Sequence, residues 1–209
     1  VVPSLPGFPG AAAGHLDLDD TVDWIVATLD LLEASDLEGA DLIGESVAGM
    51  LAAEVAALVR PAVRRLILIG SFGLYDPEDP VRNPFHCAAS ETPALLCASS
   101  ARYSAALGCH CHDPAELADW EVRQYRAHEA AARLMWPFGD RGLAKRLRRI
   151  ECPTLLLWGE RDALVPVSYA RRFAAGITRS RVAILPAAGH LASVDAPEEA
   201  AAAIADFLA

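Results

Sequence analysis

Residues 42–49 read Leu-Ile-Gly-Glu-Ser-Val-Ala-Gly, LIGESVAG. An apolar run stops at Gly44, a serine follows two positions on, and small residues resume at Ala48. The pattern is that of a buried strand feeding directly into a helix, and a serine at that junction has two uses. Its hydroxyl can cap the helix by accepting a backbone N–H. Held on a tight strand-to-helix turn it is instead a nucleophile, and that turn needs small neighbours two positions before and two after. Gly44 and Ala48 fill those places. The helix would then direct free N–H groups, that of Val47 first, at negative charge developing beside Ser46 Oγ. The eight residues alone leave both uses open.

Outward from this stretch, short apolar runs recur at Leu66–Ile69, Thr154–Trp158 and Val182–Leu185, with Asp41–Ile43 the first of the set. Each is bounded by glycine, proline or charge, as buried parallel strands are. Helical patterns alternate with them. Thr21–Ala34 sets Val22, Ile25, Val26, Leu29 and Leu32 on one face. Val47–Val59 is apolar nearly all round, Val167–Ala175 is a third helical stretch, and Pro197–Leu208 is a fourth that opens with proline and two glutamates. The alternation predicts an α/β fold with a mostly parallel sheet flanked by helices.

The stretch 74–149 interrupts this rhythm. It starts proline-rich (YDPEDPVRNP) and becomes helical after Asp113-Pro114, an N-cap and first-turn pair predicting a helix through Arg133. A shorter helix is expected over Gly142–Arg149. The expected organisation is a core from 1–73 and 150–209, with a helical cap over 74–149.

A serine nucleophile needs a base, and the base needs an orienting carboxylate. Of six histidines, His190 in LPAAGHLASVDAP follows a predicted strand and sits where open parallel sheets place their active sites. Asp162 in LLLWGERDALVP occupies the same position after another strand. Serine, acid and histidine thus follow three separate strands in the order Ser46, Asp162, His190. Asp195, five residues past His190, is expected to cap the last helix, and Glu45 to support the site or face solvent.

That order, with those contexts, resembles the α/β-hydrolase superfamily over nearly the whole chain. GESVAG is similar to its nucleophile elbow, PTLLLWGERDALVP to its acid strand and LPAAGHLASVDAPEE to its histidine loop. PSLPGFPG is similar to the turn after its fourth strand, with Ser4 where an aspartate is usual. The insertion 74–149 stands in the place of the family's cap. The resemblance implies a serine hydrolase with Ser46, Asp162 and His190 catalytic and the Val47 N–H in the oxyanion hole. It also implies that the family's first strands, and the His-Gly loop holding its second oxyanion donor, precede Val1, so the chain is expected to be N-terminally incomplete. The substrate expected is a small, mostly apolar ester or related carbonyl compound. Carbon–carbon hydrolysis is the alternative, although Leu191 stands where many such enzymes carry tryptophan. A non-catalytic binding protein, or an inactive fragment, is the alternative of a different class.

Phe72, just beyond a strand end, is a candidate substrate contact, as is Trp136 in the insertion. Arg133 could bind a substrate carboxylate or pair with an acid on its own helix. No cofactor is expected. GCHCHD at 108–113 carries soft ligands, but adjacent residues cannot all face one ion, so no metal is expected. The formal net charge of -10, without a basic stripe, argues against nucleic acid and anionic membranes as partners and leaves a small molecule. No apolar stretch reaches the ~20 residues of a membrane span. The five cysteines are irregularly spaced, which predicts a reducing, cytoplasmic setting.

Overall fold

The apolar runs become strands of one sheet, buried at its centre and partly exposed at its two edges. In the computed structural model, which describes residues 1–11, 14–37 and 39–209, β1 spans Ala40–Glu45, β2 Val63–Ile69, β3 Thr154–Gly159 and β4 Ser180–Leu185. They pair in parallel in the order β1-β2-β3-β4. Every residue of β3 is buried, as an interior parallel strand requires. The register sets Glu45 opposite Ile69 and Gly159 opposite Leu185, so the C-terminal strand ends lie along one edge of the sheet.

Helices follow their start signals. α1 (Thr21–Ala34) opens on a capping box in which Asp20 accepts from Val22 and Asp23 N–H while Asp23 reaches back. Its buried residues are Trp24, Ile25, Thr28 and Leu32, whereas Val22 and Val26 are exposed. The expected apolar stripe is therefore rotated, because the large Trp24 ring, absent from that stripe, takes the inside. α2 (Val47–Leu58) is buried from Gly49 to Ala57. Two short helices not anticipated, α3 (Thr92–Leu96) and α4 (Ser100–Leu107), precede α5 (Pro114–Met135), which Asp113 caps through Ala115 N–H. α6 (Leu143–Arg146) passes into a 3-10 turn over Leu147–Arg149. α7 (Ser168–Gly176), α8 (Ala192–Asp195) and α9 (Pro197–Leu208) complete the order.

Contacts divide the chain into two units, Val1–Leu37 with Leu107–Phe138, and Glu38–Ala106 with Gly139–Ala209. Within the first, His15 is buried beneath Gly7, where an added Cβ would lie 2.5 Å from the imidazole. The second holds the sheet. On one face Ile67, Ile69, Leu155 and Leu157 pack with Ala192, Ala196 and Ala200, against which Ile204 and Phe207 lie. Alternation turns Leu66, Leu68, Leu156 and Trp158 to the other face, where Trp158 meets Phe173 of α7 at 5.9 Å between ring centres. Among the described residues, no helix is long and apolar enough to cross a membrane.

At the start of β1, Asp41 accepts from Arg65 and Arg64 in bonds of 2.7–3.0 Å, and Arg65 also donates to the Leu208 carbonyl. The two guanidiniums, Arg65 foremost, hold the Asp41 carboxyl well below the usual carboxylate range. A depressed folded-state pKa gives stability that is present above the unfolded value, roughly 3.9, and lost as pH falls through the folded one. Asp41→Asn should therefore lower the thermal midpoint at pH 7. The gap from wild type should close as pH drops below about 4. Equal midpoints at pH 7 would show the pair to be energetically silent.

Candidate active site

β1 runs into α2 through a single residue. Ser46 has φ +61° and ψ -122°, a conformation sparsely populated for a residue with a side chain and costing about 1–3 kcal/mol. Its backbone is pinned on both sides. Ser46 N–H donates to the Ile69 carbonyl at 2.9 Å, and the Ser46 carbonyl accepts from Phe72 N–H at 3.2 Å. Glycine is required two residues earlier, since a Cβ on Gly44 would sit 2.5 Å from the Ala48 carbonyl oxygen. Ser46 stands at the N-cap position of α2 but makes no side-chain cap bond. Its hydroxyl is committed elsewhere, 2.8 Å from His190 Nε2.

His190 is fully buried and lies in the loop after β4. Its Nδ1 is 3.0 Å from Asp162 Oδ2. Asp162 lies in the loop after β3, and its other oxygen accepts from the Leu164 and Val165 N–H groups at 2.9 and 2.8 Å. These two bonds fix the carboxylate and offset part of its desolvation, so that the buried dyad does not depend on the imidazole alone. The Phe72 ring meets the imidazole edge-on, at 5.5 Å between centres and 66° between planes. Phe72 itself is buried, as a wall behind the histidine.

Glycines let the loops approach this closely. A Cβ on Gly70, which has φ +49°, would lie 2.9 Å from the His190 carbonyl oxygen. A Cβ on Gly159 would lie 2.1 Å from the Gly189 carbonyl oxygen. Val47, the first residue of α2, carries an N–H without an intrahelical acceptor, as helix geometry dictates. Ser46, His190, Asp162 and the Val47 N–H therefore converge at the strand ends.

Other candidates fall elsewhere. Arg133 and Trp136 belong to the unit without the sheet, where Arg133 lies 3.6 Å from Glu129 one turn earlier and Trp136 is 61% exposed. Cys109 Sγ accepts from Cys111 N–H at 3.3 Å. Among the described residues, no group of three or more His, Cys, Asp or Glu is placed to hold a metal.

Asp195 is not the cap of α9. The N-cap of that helix is Ala196, and no side chain makes a cap bond there. The buried Asp195 carboxylate instead accepts from Gly189, Ala98 and Ser99 N–H at 2.8, 2.6 and 3.2 Å, holding the segment before α4 against the histidine loop. Proximity in sequence to Pro197 suggested capping, and only the tertiary approach of 97–99 reveals the other role. Asp195 and Glu45 lie near enough to Cys97 to add to the effect of burial, and the thiol is pushed up to about 12.

A family described as the alpha/beta hydrolase family matches residues 1–203. The chain belongs to that family and is a hydrolase of that fold. It is 25% identical over 226 aligned positions to the 2-hydroxymuconate semialdehyde hydrolase of Pseudomonas sp. (strain CF600), covering all of this chain and 76% of that one. Among solved structures it resembles a meta-cleavage product hydrolase from Pseudomonas fluorescens, with a TM-score of 0.77, 17% identity, and coverage of 99% of this chain and 78% of that one. It also resembles a bacterial membrane phospholipase A, with a TM-score of 0.75, 24% identity, and coverage of 98% and 68%. At such identities the two structures speak for the fold.

The packing of the glycines generates a direct prediction. Gly159→Ala forces the backbone at 188–189 away from β3 and should lower kcat/KM by at least roughly tenfold, because small displacements of a reacting group are costly. Wild-type kcat/KM in this variant would show that the loop tolerates the shift.

Proposed function

We propose that the chain is a serine hydrolase that works through an acyl-enzyme on small, mostly apolar esters or related carbonyl compounds. The observation that carries this reading is the continuous hydrogen-bonded chain from Asp162 through His190 to Ser46 Oγ, at 3.0 and 2.8 Å. Ser46 Oγ attacks the substrate carbonyl carbon as its proton passes to His190 Nε2. Asp162 holds the Nδ1–H tautomer that leaves Nε2 free to accept, and it stabilises the imidazolium once formed. The Val47 N–H donates to the carbonyl oxygen as it takes on negative charge. The imidazolium then protonates the leaving alcohol, leaving the acyl group on Ser46. Water, deprotonated by the same imidazole, attacks that ester and restores the serine.

Carbon–carbon hydrolysis of ring-cleavage products is the second reading. It is favoured by the relative that aligns over the whole chain, whose name is that of a 2-hydroxymuconate semialdehyde hydrolase. The same serine, histidine and aspartate would serve either reaction. Leu191 after the histidine, where many such enzymes carry tryptophan, leaves the ester reading ahead.

Purified protein should hydrolyse p-nitrophenyl acetate or butyrate. Ser46→Ala, His190→Ala and Asp162→Asn should each lower kcat/KM by at least roughly 10³-fold. Retained activity in Ser46→Ala would remove the nucleophile from the proposal. Assayed in parallel, a 2-hydroxy-6-oxo-dienoate turned over with a kcat/KM above that of the esters would reverse the order of the two readings.

A further inference from the structure

β1 and β4 are not neighbours. β2 and β3 lie between them, so at about 4.8 Å per strand their ends are roughly 14 Å apart. The sheet register alone cannot bring His190 to 2.8 Å from Ser46. The loop after β4 has to reach back across two strand ends and be held there. A second bond spans the same gap. Glu45, the residue before Ser46, accepts from Ser193 Oγ at 2.6 Å and from Ser193 N–H at 3.2 Å. Its carboxylate also interacts electrostatically with His190.

The stretch between His190 and Ser193 is itself stiff. Val194 and Asp195 N–H both donate to the Leu191 carbonyl at 3.0 Å, and Leu191 N–H donates to the Leu96 carbonyl at 2.8 Å. A closed ring results, running Glu45, Ser46, His190, Leu191, Ala192, Ser193 and back to Glu45. One closure is the Ser46–His190 bond and the other is the Glu45–Ser193 pair. Moving the loop outward breaks both together.

Resting on the reading of Ser46 as the nucleophile, we propose that Glu45 is a positioning residue, which clamps the histidine loop to the nucleophile elbow through Ser193 and so sets the distance from base to nucleophile. Glu45 does not touch the reacting atoms and acts through His190. The half-buried carboxylate is poorly solvated: burial pushes it up and the Ser193 bonds oppose that rise. A charge-assisted bond in such a place holds more firmly than one in open water. Ser193 is exposed and its hydroxyl is bonded to Glu45, so shortening it removes the clamp with little loss of packing.

The test is a double-mutant cycle on p-nitrophenyl acetate hydrolysis, run well below each variant's melting midpoint. Glu45→Ala and Ser193→Ala should each lower kcat by roughly 10- to 100-fold, since a displacement near 1 Å costs about that much. KM should stay within about twofold. The double variant should be no slower than the slower single one, and Ser193→Thr, which keeps the hydroxyl, should restore kcat. Single variants with wild-type kcat would overturn the clamp, as would losses that multiply in the double variant to within about twofold. A change confined to KM, or no rescue by Ser193→Thr, would overturn it as well. Ser46→Ala is the control that separates the two ideas. If it is inactive while the clamp variants are normal, the clamp alone fails, and if it remains active, the nucleophile reading fails first.

Discussion

The hydrogen bond from Ser46 Oγ to His190 Nε2 joins residues 144 apart in sequence, and most of the structure around it serves to make it possible. It requires parallel strands that end at one edge, a turn that exposes the serine, and a loop that returns across the sheet. Parallel pairing supplies the first, since every strand leaves the sheet in the same direction and its following loop falls on the same side. The positive φ of Ser46 supplies the second, and the backbone bonds to Ile69 and Phe72 hold it against its strain.

Electrostatics and packing meet at His190. Its imidazole and the Asp162 carboxylate are both removed from water, an arrangement that is costly unless each remaining acceptor is satisfied. Asp162 meets that condition with two backbone N–H groups. The glycines at 70, 159 and 189 then let the main chain close around the pair. At Gly159 the clearance is smaller than any side chain allows. Asp195 ties Gly189 to residues 98 and 99. Two buried or half-buried carboxylates thus hold the loop, Asp195 at Gly189 before His190 and Glu45 at Ser193 after it.

The interior strands were legible in the sequence because burial on both faces leaves an unbroken apolar run, and β3 (Leu155, Leu156, Leu157, Trp158) is the plainest case, whereas the edge strands β1 and β4 stay partly exposed. α9 and α5 were legible from Pro197 and from Asp113-Pro114, local signals that need no tertiary partner. Ser46, Asp162 and His190 could be singled out because strand ends concentrate function in parallel sheets, and the structure brings those three within hydrogen-bonding reach. What escaped sequence reading depends on approach across the fold. Asp195, two residues before Pro197, has the sequence context of a cap, and its bonds to Ala98 and Ser99 come from a segment almost a hundred residues away. Glu45 carried no sign of Ser193, and the inside face of α1 turned on a single tryptophan.

If His190 makes the Ser46 hydroxyl nucleophilic, labelling with a fluorophosphonate followed by peptide mass mapping will locate the adduct. One phosphonyl adduct should form on the peptide containing Ser46 in the folded wild-type protein, with little or none in His190→Ala. A folded wild-type protein that takes no label at Ser46, or a His190→Ala variant labelled at the wild-type rate, would contradict it.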